Sequence, residues 1–396
     1  MADGPRARPR LLVLGAGAAQ LGLLRAARER DLHVLAVDRD PAAPGFRYAD
    51  TRAVISTEDE PAIDRLARAQ RIDGVISPGA DWTVGIAARL AERLGLPHSI
   101  DGATAVLATS KSRQRQRFAA AGLPQPRLLD ELRVPCVVKA PDRQGQRGLT
   151  LVLDERDLPT AIETARAASR NGTFIAEEYV EGPEVTVNGV SLDGVFHPLT
   201  VTDRMTAEPP AFGVALAHAW PSGLSVVSTQ ALVDAARRAA EALGIRNGPT
   251  YTQIRVGEDG PCVVELAARL GGGHDAELCE LATGVPLNDL ALDFALGREA
   301  SVVPTQTSSG PGLVGGACVL FLVAPEGELR SVEGVEEAEG VDGVAEVRFY
   351  RAPGWRFGPL LRGADRAGAI LATGASRDDA LERARRAAGA LRFVVS

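Results

Sequence analysis

The feature that most constrains this chain is an alternation of apolar strand and apolar helix through its first hundred residues. "LLVLGAG" (11–17), "HVLAVD" (33–38) and "DGVISPG" (73–79) are short apolar runs of the kind that form buried strands. Between and after them, Gln20–Glu29, Glu60–Arg71 and Val84–Leu94 place apolar residues at helical spacing. Strand–helix–strand order of this kind predicts a parallel sheet with crossover helices. The first turn, Gly15-Ala16-Gly17, with Asp38 ending the second strand, imitates a dinucleotide-binding fingerprint. That fingerprint needs a third glycine where the helix packs on the strand, but Gln20 stands there and Gly22 comes two places later. A tight strand-to-helix turn in an α/β domain is the favoured reading, and a nicotinamide enzyme the competing one.

With 396 residues, the chain has room for two or three domains, and 45% hydrophobic and 24% charged content is that of an ordinary globular protein. A net charge of −7 and a pI near 5.5 argue against a nucleic-acid partner, which requires a basic face. No apolar run approaches the roughly 20 residues that span a bilayer. The opening "MADGPRARPR" lacks the apolar stretch of a signal peptide, so residues 1–10 read as a disordered tail on a cytoplasmic protein. The four cysteines, Cys136, Cys262, Cys279 and Cys318, form no CxxC pair and read as reduced, packed residues rather than metal ligands.

Lysine usage is the sharpest compositional signal. Of 44 basic residues, Lys111 and Lys139 are the only lysines and the remaining 42 are arginine. A lysine kept against such a bias does what a guanidinium does not: it brings a compact point charge into a narrow phosphate pocket. Lys111 opens a helix in "SKSRQRQRFAAAG". Lys139 ends the strand "VPCVVKA" just before "PDRQGQRG", where Gly145 and Gly148 let backbone N–H groups approach oxygens.

The remaining pieces follow in order. "FIAEEYVEGPEVTV" reads as antiparallel strands whose exit, Glu177-Glu178-Tyr179-Val180, offers backbone groups and carboxylates to an adenine edge. Glu184, beyond the Gly182-Pro183 turn, suits ribose hydroxyls, and a charged hairpin edge is the plainer alternative. A long helix, Val226–Leu243, leads to "TYTQIRVGEDGPCVVELAARLGGGH", two strands that bring Gln253 and Glu265 to neighbouring strand ends. Glu265 projects from an apolar run, which calls for a cation or a partner such as Arg269. "PTQTSSGPG" (304–312) reads as a linker, followed by strands and the helix "SRDDALERARRAAGAL".

Taken in this order, Lys111, Lys139 with its glycine loop, "EEYVEGPEVTV" and "VVELAAR" resemble the ATP-grasp superfamily across nearly the whole chain. "ELAARLGGG" and the tail resemble its L-amino acid ligase branch most. The resemblance implies a mixed α/β and α+β architecture: a parallel-sheet preATP-grasp domain (11–105), a two-lobed ATP-grasp fold (106–303), the linker, and a small C-terminal α+β domain (313–396). It implies that Lys111 and Lys139 bind ATP phosphates under the Gly145–Gly148 loop, that Glu177, Glu178 and Val180 hold adenine, and that Glu184 holds ribose. Glu265 and Gln253 take the metal positions for magnesium or manganese. Arg269, with Lys139, acts on the transferred phosphoryl group, and His218 with Gly271, Gly272, Gly273 and His274 faces the substrate.

Two departures stand out: Ala267 replaces the asparagine of a Glu-x-Asn metal motif, and Gln253 replaces an acidic ligand. The implied activity is ATP-dependent joining of a small carboxylate, an amino acid or related metabolite, to an amine through an acyl phosphate. Its partners are small molecules, with no nucleic acid and no membrane, and the superfamily's habit of pairing makes a homodimer one expected assembly. The competing readings are a bicarbonate-activating enzyme of the carboxylase or carbamoyl-phosphate-synthase type, a non-catalytic ATP-binding protein, and the NAD-dependent oxidoreductase.

Overall fold

The computed structural model describes residues 8–303 and 314–396, so the expected linker at 304–312 lies outside the described residues. The first layer is built by β1 (Arg10–Leu14), α1 (Leu21–Glu29), β2 (His33–Asp38), β3 (Thr51–Val54), α2 (Glu60–Gln70), β4 (Gly74–Ile76) and α3 (Asp81–Leu94). The strands form a four-stranded sheet in the order β3-β2-β1-β4, and its pairings are parallel. Leu11, Val13, Leu12 and Leu14 are all fully buried because helices cover both faces. Of the expected tail, Arg8 is docked, bonded to Asp31 and Asp50, and Arg10 already belongs to β1.

The glycine turn is closed from within. Gly15, at φ +111°, donates its N–H to Val37 O (2.8 Å), and Asp38 accepts the Ala16 N–H at 2.9 Å. The Asp38 carboxylate therefore fastens the turn, and the Gln20 side chain packs where the missing third glycine would leave room.

A helical bridge, α4 (Gly102–Ala108) and α5 (Lys111–Ala120), carries the chain to a small antiparallel sheet. That sheet is β5 (Cys136–Lys139), β6 (Leu149–Val152) and, after α6 (Leu158–Ala168), β7 (Ile175–Glu178), with β5 in the middle. Cys136, Val138 and Ala176 pack against Ala161 and Ala165 of α6 to give this lobe its own core.

The large lobe begins with β8 (Glu184–Leu192), β9 (Val195–Thr206), β10 (Ala215–Trp220), α7 (Val226–Leu243), β11 (Gly248–Gly257) and β12 (Gly260–Ala267). Sequence pattern suggested antiparallel strands running through 174–187, but β7 and β8 belong to different sheets. The crossing at 179–183 turns on Gly182, at φ +132°, where any Cβ would strike the Val256 carbonyl. Helices α8 (Asp275–Thr283) and α9 (Leu287–Ala295) then pack back onto α1 and β13.

The C-terminal segment supplies β13 (Gly316–Leu322), β14 (Gly327–Glu333), α10 (Val335–Glu339), β15 (Val344–Phe349), β16 (Arg356–Phe357), β17 (Gly368–Gly374), α11 (Arg377–Ala390) and β18 (Arg392–Val395). Three of its strands extend the large sheet, which runs β12-β11-β8-β9-β10-β13-β17-β15. The others form β16-β14-β18. The C-terminal α+β unit thus shares a continuous hydrogen-bonded sheet with the large lobe, which fixes residues such as Arg348 and Arg366 relative to β9 and β10.

Candidate active site

Lys139 ends β5 and is 3% exposed, so its ammonium needs a partner inside the protein. Glu177, on the neighbouring strand β7, lies 2.5 Å from it, and the other oxygen of the same carboxylate takes Arg115 Nε at 2.8 Å. Burial would raise the Glu177 pKa, but the Lys139 and Arg115 charges outweigh it and hold the carboxylate below its usual range. Burial, with Arg115 and Lys111 nearby, lowers the Lys139 pKa against the pull of Glu177. Both carboxylate oxygens of Glu177 have a partner, so its side chain seats Lys139 between the strands. Glu178 is tied to Arg127 at 2.6 Å on the exposed side.

The second lysine closes the other side. Lys111, at the start of α5, donates to Arg143 O (2.6 Å) and to Glu265 Oε1 (3.1 Å). Glu265 on β12 stands in register with Gln253 on β11, so a carboxylate and an amide share one strand position. Arg269 does not pair with Glu265. It donates to Asp81 Oδ1 at 2.6 Å and to Leu270 O at 2.7 Å, which displaces the simple Glu265–Arg269 bridge. Asp81, the first residue of α3, keeps Oδ2 buried without a partner among the described residues.

Lys111, Lys139, Gly145, Gln253, Glu265, Arg269 and Asp81 all line one pocket, roofed by the 143–147 loop. Asp81 lies just past the apolar strand run 73–79, in "ISPGADW". Arg115, in a run of arginines, gave no signal that one of them is buried.

A second pocket continues along β11. Tyr251 and Gln253 face the first pocket, and Arg255, two residues on along the strand, faces the second together with Glu184 and Tyr179. Glu184 binds Arg204 at 2.6 Å and Arg255 at 3.5 Å. Arg255 also donates to Val180 O (3.0 Å), one of the backbone groups expected to meet adenine. Asp203 to Glu208 and Phe212, from the stretch "VTDRMTAEPPAFG", complete the wall.

The remaining expected residues lie deeper. His218 on β10 is 1% exposed, bonds Asp275 through Nδ1 at 2.9 Å, and leaves Nε2 unpartnered. The Gly271–His274 loop wraps the Asp275 carboxylate. A Cβ at Gly271 would collide with that carboxylate, and one at Gly273 would lie 2.7 Å from His218 Cε1. Gly272 faces Gly79 and Ala19 of the first domain. His274 has both ring nitrogens engaged, Nδ1 with Arg348 at 2.9 Å and Nε2 with Tyr350 Oη at 2.6 Å. Its imidazole therefore positions Tyr350 and is not offered to a substrate.

Among the described residues no cluster of three or more His, Cys, Asp or Glu side chains forms a metal cage. Glu265 is the lone carboxylate of its pair, and one carboxylate plus phosphate oxygens is a donor set that suits magnesium. The residues fit a cation carried mainly by a polyphosphate.

Residues 132–277 match the family model of the ATP-grasp domain, and residues 320–396 match L-amino acid ligase C-terminal domain 2. A formate-dependent phosphoribosylglycinamide formyltransferase of Burkholderia lata is 28% identical over 410 residues, 97% of this chain and 95% of that protein. The alanine–anticapsin ligase of Bacillus subtilis is 24% identical over 283 residues, 62% of this chain and 59% of that one. The crystal structure of an L-amino acid ligase from Bacillus licheniformis shares the fold, with a TM-score of 0.83 at 23% identity over 99% of this chain and 100% of that one. The chain thus carries an ATP-grasp domain followed by a C-terminal domain of the L-amino acid ligase kind.

Proposed function

We propose that the protein joins a small carboxylate, an amino acid or close relative, to an amine at the expense of ATP. The observation that carries this reading is the convergence of Lys111, Lys139, Glu265 and Arg269 on one pocket beneath a glycine-rich loop. Two ammonium groups and a guanidinium match a triphosphate, and phosphoryl transfer asks a protein chiefly to position groups and neutralise charge.

The carboxylate oxygen attacks the γ-phosphorus, the bond to the β–γ bridging oxygen breaks, and ADP leaves an acyl phosphate behind. The amine then attacks the acyl carbon, phosphate departs with its oxygen, and the amine proton is released. Lys139, seated by Glu177, and Lys111 hold the phosphates, while Arg269 stands where the transferred group and the acyl phosphate meet. Glu265, with Gln253 as a neutral second donor, would hold magnesium, which when bound neutralises the phosphate oxygens. The unpartnered Oδ2 of Asp81 suits the ammonium of an amino acid beside Arg269. The strip Tyr251–Gln253–Arg255 leads from this pocket to Glu184, which supports placing the nucleoside in the second pocket. The loop at 143–148 keeps water from the acyl phosphate.

No helix among the described residues is long and apolar enough to cross a membrane, and all four cysteines are free, as suits the cytoplasm. The test is ADP release stimulated by a pool of L-amino acids, with hydroxylamine trapping the acyl phosphate as a hydroxamate. Amino-acid-dependent hydroxamate that disappears in Lys139→Met upholds the reading. Bicarbonate-dependent ADP release with no organic acid overturns it.

A further inference from the structure

Among the described residues the small lobe pairs none of its strands with the other sheets, so side-chain contacts decide how it sits over the phosphate pocket. It roofs that pocket with the loop 143–147, and both ends of the loop are pinned to one spot, residues 168–170, where α6 ends. Arg143 Nε donates to Ala168 O at 2.5 Å, and Gly148 lies against Ala168. The Arg170 N–H meets the Asp142 carboxylate at 2.9 Å, and its guanidinium donates to Asp142 O. Within the loop Gln146 has φ +61°, beside Gly145 at +68° and Gly148 at +69°. A side chain disfavours that left-handed backbone, so the loop needs holding.

The first domain grips Arg170 from two sides. Glu58, between β3 and α2, lies 2.7 Å from Arg170 Nη2 and 3.7 Å from Arg143 Nη1. The Trp82 ring stacks on the same guanidinium, its centroid 4.0 Å from Cζ. Burial lowers the Arg170 pKa against the pull of Glu58, and burial with the charges of Arg143 and Arg170 lowers that of Arg147. Glu58 thus faces three guanidinium groups crowded beside the pocket.

Trp82 is also joined to the chemistry. It follows Asp81, whose carboxylate takes Arg269 inside the pocket. The buried hydroxyls of Ser77 and Thr83 meet at 2.5 Å, and each lies 3.0 Å from Ala80 O. The first turn of α3 is therefore a rigid mount, presenting Asp81 to the pocket and the next residue, Trp82, to the small lobe.

We infer that Glu58 and Trp82, acting through Arg170, hold the small lobe and its 143–147 loop down on the pocket, retaining ATP and excluding water. Neither lines the pocket, so both are positioning residues. The inference rests on the ligase reading only for the acyl phosphate that the loop shields. A cation–π stack and a partly exposed ion pair are modest contacts. Their loss shifts the balance between closed and open lobe and leaves the fold intact.

The experiment uses Trp82→Ala, Trp82→Phe and Glu58→Gln, at surface positions (Trp82 is 36% exposed) that spare the core. Trypsin cuts after arginine, so cleavage at Arg143 and Arg147 reports an open loop without any ligand. Trp82→Ala touches neither cleaved residue, and it should speed cleavage there about threefold to tenfold at an unchanged melting temperature. In turnover with pooled L-amino acids and hydroxylamine, the KM for ATP should rise by a like factor while kcat for ADP release keeps the parent's value. More ADP should be released per hydroxamate formed, because water now reaches the acyl phosphate. Glu58→Gln should follow Trp82→Ala, and Trp82→Phe, which keeps a ring against Arg170, should fall between. Parent-like cleavage at Arg143 and Arg147 in Trp82→Ala overturns the inference, as does a lower kcat at unchanged KM or an unchanged ratio of ADP to hydroxamate. A parent that forms no hydroxamate overturns the ligase reading instead, and the trypsin arm still decides the clasp.

Discussion

Glu177 holds the Lys139 ammonium 2.5 Å from one carboxylate oxygen while its other oxygen takes Arg115, all three residues being at most 3% exposed. The pair joins two strands of the small lobe and sets where one of two lysines points. Lys139→Met is expected to lower ADP release by at least about a hundredfold, as the loss of one charged phosphate contact does. Glu177→Gln leaves Lys139 and Arg115 facing each other without their carboxylate. It should cost about 3–5 kcal/mol of stability, read by urea unfolding, because a buried charge loses its partner.

Gln253 stands opposite Glu265, where a second carboxylate would complete a two-acid cation site. Gln253→Glu is expected to lower the magnesium concentration for half-maximal activity about tenfold, since ligand charge sets affinity for a hard cation. A magnesium titration at fixed ATP checks it; an unchanged midpoint would show that Gln253 lies off the metal.

The loop glycines separate strain from collision. Gly145 has φ +68° with open space around its missing Cβ, whereas at Gly148, φ +69°, a Cβ would lie 2.5 Å from Ala168 Cβ. Gly145→Ala should cost about 1 kcal/mol, the backbone price of a left-handed alanine. Gly148→Ala should cost distinctly more and loosen the loop from α6, raising the KM for ATP. Thermal melts and ATP titrations of the two variants, side by side, check the order.

Glu277 is paired with Arg348 and His274 in the interior. Burial opposes its ionisation, but Arg348 and His274 outweigh this and hold its pKa far below the ordinary 4.5. In the unfolded chain the group takes up a proton near pH 4.5, whereas in the folded protein it stays ionised. Its stabilisation is therefore complete above that pH and is lost as the pH falls below it. Glu277→Gln should flatten the acid limb of a stability–pH profile, measured by urea unfolding between pH 3 and 7.

Much of the fold was legible because period and punctuation agree. The helix Val226–Leu243 begins after a Ser225 cap and ends at Gly244 in left-handed conformation, so its boundaries are written locally. β3 (Thr51–Val54) escaped notice because it is a four-residue edge strand with no fully buried side chain. α4 (Gly102–Ala108) escaped because a seven-residue helix shows barely two turns of pattern, although Asp101 caps it at Thr104. Lys111, Lys139, Glu265 and Arg269 stood out by rarity or by an apolar setting, and they line one pocket. Asp81 and Arg204 carried no such mark, being common residue types in polar surroundings.

By itself the sequence determined the longer strands and helices, because side-chain period and capping act over a few residues. It also determined which residues could carry charge into a phosphate pocket. Partnership was decided only by the tertiary structure. Glu177 turns to Lys139, Asp38 to its own glycine turn and Arg269 to Asp81, because each meets residues brought from other elements. An ion pair depends on distance in space, and 188 residues of chain separate Asp81 from Arg269 until the sheets are stacked.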